Sequence, residues 1–193
     1  MELVQFILIY TILLSSIIGY GLIFSEKLTS YNNFKNNKVS LGYIGIFGIL
    51  FLIFISYFTS LFFPHGIIHN LLIVFIGFVT FIYFFIKNKK IFINKYFIFA
   101  YLISFFSIFY FKSHDDFPYY HFAYIHLLTS IDSSLGIGLF NHGFRTPSSI
   151  FYLSSLFYLP KIEHQLIHIT PIYFLGFVNF ILLKKIFKLI KIK

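Results

Sequence analysis

The segment LGYIGIFGILFLIFISYFTSLFF, Leu41 to Phe63, holds no charged residue and is stopped by Pro64. A run of this length, apolar on every side, is what a helix needs to cross a hydrocarbon core of about 30 Å. Lipid offers no water to unpaired backbone groups, so such a run is read as a helix. Four other stretches have the same character: Leu3–Phe24, Ile67–Ile86, Tyr96–Phe111 and Ile167–Leu183. Their limits are marked by Ser25-Glu26-Lys27, by Lys87-Asn88-Lys89-Lys90, by Lys95 and Lys112, and by Lys184-Lys185. Strict two-residue alternation is absent, which argues against a barrel. The composition agrees. Of the 193 residues 59% are hydrophobic, 24% aromatic and only 11% charged, and the mean hydropathy is +0.86. A soluble domain carries about 25% charged residues, so a water-facing surface is excluded. The expected fold is an all-α polytopic membrane protein, with about five transmembrane helices and one long external loop containing interfacial helices.

Lysine placement sets the expected orientation, because positive charge favours the cytoplasmic side. Twelve of the fifteen basic residues lie between the first two spans, between the third and fourth, or after the fifth. Five spans put these three segments on one side of the membrane. The N-terminus is then outside and the C-terminus cytoplasmic, in a cytoplasmic (inner) membrane. The net charge of +9 is therefore a membrane-topology signal, with no nucleic-acid partner implied. The N-terminus lacks a basic leader and a small-residue cleavage site, so it is read as the first span. Asn32–Lys38 reads as a polar cytoplasmic linker. There is no cysteine, hence no disulfide framework and no thiolate metal site.

Three regions follow: a four-span membrane region over 1–111, an extracytoplasmic loop over 112–166, and a fifth span with a basic tail over 167–193. The loop holds four of the six acidic residues and the only Arg. Pro118 suits the first turn of a helix, and Asp115 and Asp116 stand at its N-terminal end. Tyr119 to Ile131 reads as an interfacial helix. Glycines at 136, 138 and 143 mark a turn-rich stretch, and Ser148-Ser149 can cap a second short helix running to Tyr158. Asp115 and Asp116 can take a proton from a hydroxyl, hold a divalent cation against a phosphate, or simply cap the helix. Arg145, alone among fourteen lysines, offers a planar fork matched to phosphate oxygens; the plainer reading is a snorkelling cation. His121 and His142 are candidates because they lie near these groups in sequence. The pairs His65/His69 and His164/His168 have the spacing of two ligands on one helix face, but amphipathic surface residues show it too. No metal ligand set is assigned.

Asp116-Phe-Pro-Tyr-Tyr120-His121 has the form D-x-x-x-Y-H, and Gly138-Leu-Phe-Asn141-His-Gly-Phe-Arg145 has the form G-L-x-N-x-x-x-R. In this order they resemble a group of bacterial multi-pass proteins related to GT-C membrane glycosyltransferases, over Ser113 to Tyr158. The resemblance implies transfer of a sugar from a polyprenyl-phosphate carrier to a glycan or lipid acceptor, outside the cytoplasmic membrane. It carries the acidic role to Asp116, with Asp115 as substitute. It implies Arg145 on the departing phosphate, and Tyr120, His121, Asn141 and His142 at the substrate. Two features depart from that pattern. Three spans precede the acidic loop, where the family usually has one. The family also has about ten or more spans, so the expected chain is an N-terminal part that works with the remaining spans or a companion subunit. The rival readings are a non-enzymatic membrane subunit or assembly protein, and a transporter component. The transporter predicts ionisable residues inside the spans, and these are free of Asp, Glu, Lys and Arg.

Overall fold

A computed structural model describes residues 3–28, 40–87, 95–107, 115–133, 137–139 and 141–190. The helices are α1 (Leu3–Leu28), α2 (Leu41–Ser60), α3 (Ile67–Lys87), α4 (Lys95–Ser107), α5 (Phe122–Ser130), α6 (Ser149–Ser155) and α7 (Thr170–Ile190). A π-helical turn, Phe117–His121, leads into α5, and a 3-10 segment, His164–Ile169, leads into α7. Among the described residues there is no strand beyond one isolated bridge between Leu159 and Glu163. Among the described residues four helical stretches are long and apolar enough to cross a membrane: Leu3–Glu26, Leu41–Ser60, Ile67–Lys87 and His164–Ile190. The protein is an all-α, multi-pass membrane protein.

The element ends differ from the sequence reading for identifiable reasons. The second span was expected to reach Phe63, but α2 stops at Ser60. The amides of Phe62 and Phe63 both turn back to the Thr59 carbonyl, at 3.0 and 2.9 Å. Pro64 steers the residue before it out of helical conformation, so the chain uses this tight turn instead. The last helix was expected to end at Leu183, yet α7 runs through Lys184, Lys185 and Lys188. Lysine is a good helix former and its charge suits a helix C-terminus, so these lysines mark a change of solvent rather than an end of helix. The fourth helix is described over 13 residues. At 1.5 Å per residue that is about 20 Å, short of a full crossing. The expected end at Phe111 and the linker 32–38 lie outside the described residues.

Helix α1 packs on α2 and α3, and α7 packs on α2 and α4. The α1–α3 contact is backbone on backbone: a Cβ on Gly19 would overlap the Gly77 carbonyl. Without a hydrophobic force between helices in lipid, such close approach at small residues supplies the attraction. Tyrosines tie the bundle across its helices. Tyr20 donates to the Ile73 carbonyl at 2.8 Å, and Tyr173 donates to the Tyr10 carbonyl at 3.0 Å while their rings stack 4.7 Å apart.

The pairing of helices sorts the charges. At one end Phe24 meets Phe47 and Tyr96 meets Phe187, which gathers Lys95, Lys184, Lys185 and Lys188. The opposite end carries the segment 115–169 with Asp115, Asp116, Asp132 and Glu163. There α5 and α6 share a small core of their own, with Tyr124, Ile125, Leu128, Phe151, Tyr152 and Ile167 buried together. The loop is thus a packed body seated on the ends of α2 and α3.

Candidate functional site

The seat is a buried polar cluster. His65 lies in the turn between α2 and α3, and it, Asn70, Ser56 and Ser155 are all fully buried at 0% exposure. Buried polar groups need partners, and each of these has them. Ser155 donates its hydroxyl to the Tyr152 carbonyl at 2.7 Å, so it accepts from His65 Nδ1 at 2.6 Å. Ser56 donates to the same Tyr152 carbonyl at 2.6 Å. The Asn70 amide reaches the carbonyls of His65, Ser155 and Tyr158 at 2.8, 2.8 and 2.9 Å. The last two lie at and just past the end of α6, where a helix terminus leaves carbonyls open, and the Ser155 carbonyl also takes the Tyr158 amide at 3.2 Å. Backbone bonds add to the seat, from His65 N to Leu128 O at 2.7 Å and from Ser133 N to Ser60 O at 2.6 Å.

Burial, and then the His69 imidazole stacked 4.9 Å away, push the His65 pKa down to about 4. The Ser56 carbonyl, 3.2 Å from Nε2, favours the charged form but is outweighed. His65 is therefore neutral in the folded chain at neutral pH, and an unfolded histidine titrates near 6.5. The folded pKa is the lower one. The stability it contributes is complete above about pH 6.5 and is lost as pH falls toward 4, by about 3 kcal/mol in all. Melting of the purified chain should weaken across that window, and the slope should shrink in His65→Gln. An identical slope in both proteins contradicts this.

The two motifs of the loop meet beside this seat. Tyr120 packs against Gly143, where a Cβ would stand 2.9 Å from the Tyr120 Cβ, and the Tyr124 and Phe144 rings are 5.1 Å apart. Asp115 and Asp116 form an exposed turn at the mouth of the Phe117–His121 segment. Asp116 accepts the Tyr120 amide through its backbone carbonyl at 3.2 Å, while its side chain makes no cap bond to the turn. His121 lies half-buried between the Tyr120 and Phe151 rings, 4.2 and 4.8 Å away. Asn141 spends its side-chain oxygen on the Gly143 amide at 2.9 Å, closing the turn that presents Arg145. His142 is exposed on that turn.

Arg145 Nε donates to the Gly138 carbonyl at 3.3 Å. The fit needs glycine, since a Cβ on Gly138 would stand 2.9 Å from the Arg145 Cα. Arg145 lines an open cavity of about 570 Å³ together with Asp132, Ser133, Tyr57, Tyr124 and Tyr152. Tyr57 and Tyr152 stack at 3.7 Å, and the Tyr124 and Tyr152 hydroxyls are bonded at 2.7 Å. Burial, and then the bond to Tyr152, push the Tyr124 pKa above its ordinary value, so its phenol is a neutral hydrogen-bonding group and no base.

Of the expected site residues only Arg145 is among the described lining of this cavity; Asp115, Asp116, Tyr120, His121, Asn141 and His142 are not. Asp132, Ser133 and the three tyrosines were missed. So were His65 and Asn70, and His65 is a buried anchor where a surface residue was expected. Asn70 had one signal, an amide inside a charge-free span, where polar groups are costly. Among the described residues no group of three or more His, Cys, Asp or Glu is placed to hold a metal ion. No protein-family model, curated protein or solved structure matches the chain.

Proposed function

We propose that the chain forms the external substrate-binding end of a membrane glycosyltransferase that uses a polyprenyl-phosphate-linked sugar. One observation carries this reading: the D-x-x-x-Y-H and G-L-x-N-x-x-x-R segments fold onto each other beside an aromatic cavity whose wall includes Arg145. In the inverting case Asp116, with Asp115 beside it, takes the proton of the acceptor hydroxyl. The acceptor oxygen attacks the anomeric carbon, and the bond from that carbon to the phosphate oxygen breaks. The prenyl phosphate leaves with the bonding electrons through an oxocarbenium-like transition state. Charge grows on the phosphate in this step, and a guanidinium fork placed there lowers the barrier. Tyr120, His121, Asn141 and His142 surround the reacting groups. A divalent cation held by the aspartates is a further element of the proposal, as are partner spans from a longer chain or a companion subunit.

The test is kinetic. Membranes holding the chain and its partner spans should transfer sugar from a short-chain polyprenyl-phosphate donor. Arg145→Lys keeps the charge but loses the fork, and should lower the rate about tenfold or more. An unchanged rate removes Arg145 from the mechanism.

Orientation belongs to the same proposal: loop outside the inner membrane, N-terminus outside, C-terminus in the cytoplasm. A chain without cysteine suits single-cysteine labelling. A membrane-impermeant maleimide added to spheroplasts should label His142→Cys at once and Lys188→Cys only after lysis. The reverse pattern contradicts the proposed sidedness.

A second reading, a non-enzymatic membrane subunit, is favoured by the absence of Asp115 and Asp116 from the described cavity lining. Alanine at Asp115, Asp116 and Arg145 leaves such a subunit working. The transporter reading is weaker, because the charged or polar residues buried among the described ones include no Asp, Glu, Lys or Arg.

A further inference from the structure

The cavity beside Arg145 has a second charge that the proposed reaction leaves idle. Asp132 lies on the same wall as Arg145, and the two form no ion pair with each other. Arg145 commits only Nε, to Gly138, so its terminal nitrogens have no partner among the described residues. Both side chains are exposed on this wall, so both are open to a ligand. Tyr57 has one face covered by Tyr152 and is 39% exposed, so its open surface is the other face and the edge. The volume of about 570 Å³ falls in the range of small-molecule sites, and the wall is apolar with few polar groups, as in such sites.

We propose that this cavity is the sugar-ring subsite, in which Asp132 binds ring hydroxyls while the ring lies on Tyr57. This rests on the transferase reading and adds to it the groups that recognise the sugar. A carboxylate accepts two hydroxyls of a vicinal diol through charge-assisted bonds. The C–H face of a pyranose buries against an aromatic ring. Arg145, on the same wall, then meets the phosphate that joins the ring to its lipid. Asp132 is a binding residue and takes no proton in the reaction. It is exposed, so its replacement leaves the fold intact.

The experiment measures binding to the purified full chain in nanodiscs. The probes are farnesyl phosphate and its glucosyl, galactosyl, mannosyl and N-acetylglucosaminyl esters. At least one ester should bind about tenfold tighter than farnesyl phosphate, the difference that good charge-assisted hydrogen bonds supply. Asp132→Asn should remove that increment and leave farnesyl phosphate unchanged, whereas Arg145→Lys should weaken all the probes. If the increment survives Asp132→Asn, or if that variant weakens farnesyl phosphate equally, the subsite is wrong while transfer by Asp116 still stands or falls on its own assay. If no probe binds, the subsite falls, and the transferase reading is decided by its own assay with the partner spans.

Discussion

Gly77→Leu should prevent the bundle from folding. A Cβ at this position would collide with the Ser16 hydroxyl and stand 2.7 Å from both the Ser16 carbonyl oxygen and a ring carbon of Tyr20. From the other side, a Cβ on Gly19 would stand 2.8 Å from the Gly77 carbonyl carbon and 3.0 Å from the Phe81 amide. Of the three neighbours of a Gly77 Cβ one is backbone, and the other two belong to the buried side chains of Ser16 and Tyr20, the latter held by its bond to the Ile73 carbonyl. The helices must separate, and the contact they lose is the one that holds α3 to α1. Overpacking a well-packed core costs about 1–3 kcal/mol, and a wedge between two backbones belongs at or beyond the top of that range. Such a loss is a large part of a stability of about 5–15 kcal/mol. Gly77→Leu should therefore run as an aggregate in detergent, with no cooperative melt. The matched control is Gly66→Ala, where the added Cβ meets nothing within 4 Å. It should melt like the parent chain, and a normal melt for Gly77→Leu would contradict the packing described.

Asn70→Ala should release the loop from the bundle. The change strips the hydrogen bond from three carbonyls, at His65, Ser155 and Tyr158, in a site closed to water. The Ser155 carbonyl keeps the Tyr158 amide, and each of the other two acceptors left unsatisfied costs about 1–3 kcal/mol, so the sum is about 2 kcal/mol or more. Alanine is an excellent helix former and α3 itself remains. The damage should thus be local: faster proteolysis between Lys112 and Leu166, with the spans protected. Asn70→Asp serves as the second variant, since a carboxylate fills the same space but cannot donate. Equal protection of the loop in all three proteins would contradict the seat.

The helices were legible because a bilayer imposes a single rule on about 20 consecutive residues, and Leu41–Phe63 obeys it without exception. The rule fails where its premise changes. Lys184 and Lys185 end the apolar run but leave α7 helical, and Pro64 ends the helix before the apolar run is over. The loop motifs were legible as short local patterns, and the contact of Tyr120 with Gly143 brings them together. The seat and the cavity were hidden for another reason: their members come from distant places. Ser56 reaches Tyr152 and His65 reaches Ser155 across about 90 residues, and no spacing announces such pairs. His65 sits in a Pro-His-Gly turn of the kind that is usually exposed. Asp132 follows α5 as a lone acid with no motif around it. The charged residues that stand out in this sequence are on its surface, and the polar residues that organise its loop are neutral and buried.

In the proposed function the 115–147 segment handles a sugar phosphate and Asp116 is the base. The direct measurement is release of prenyl phosphate, with transfer of the sugar, by membranes holding the chain and its partner spans. Asp116→Asn preserves size and removes the proton acceptor. Loss of a positioned general base lowers rates by about 10²–10⁴. Asp116→Asn should lower transfer by that factor, with a further loss when Asp115→Asn is added. Transfer at the parent rate in the double variant would contradict this role, and would leave the loop as a packed surface for assembly.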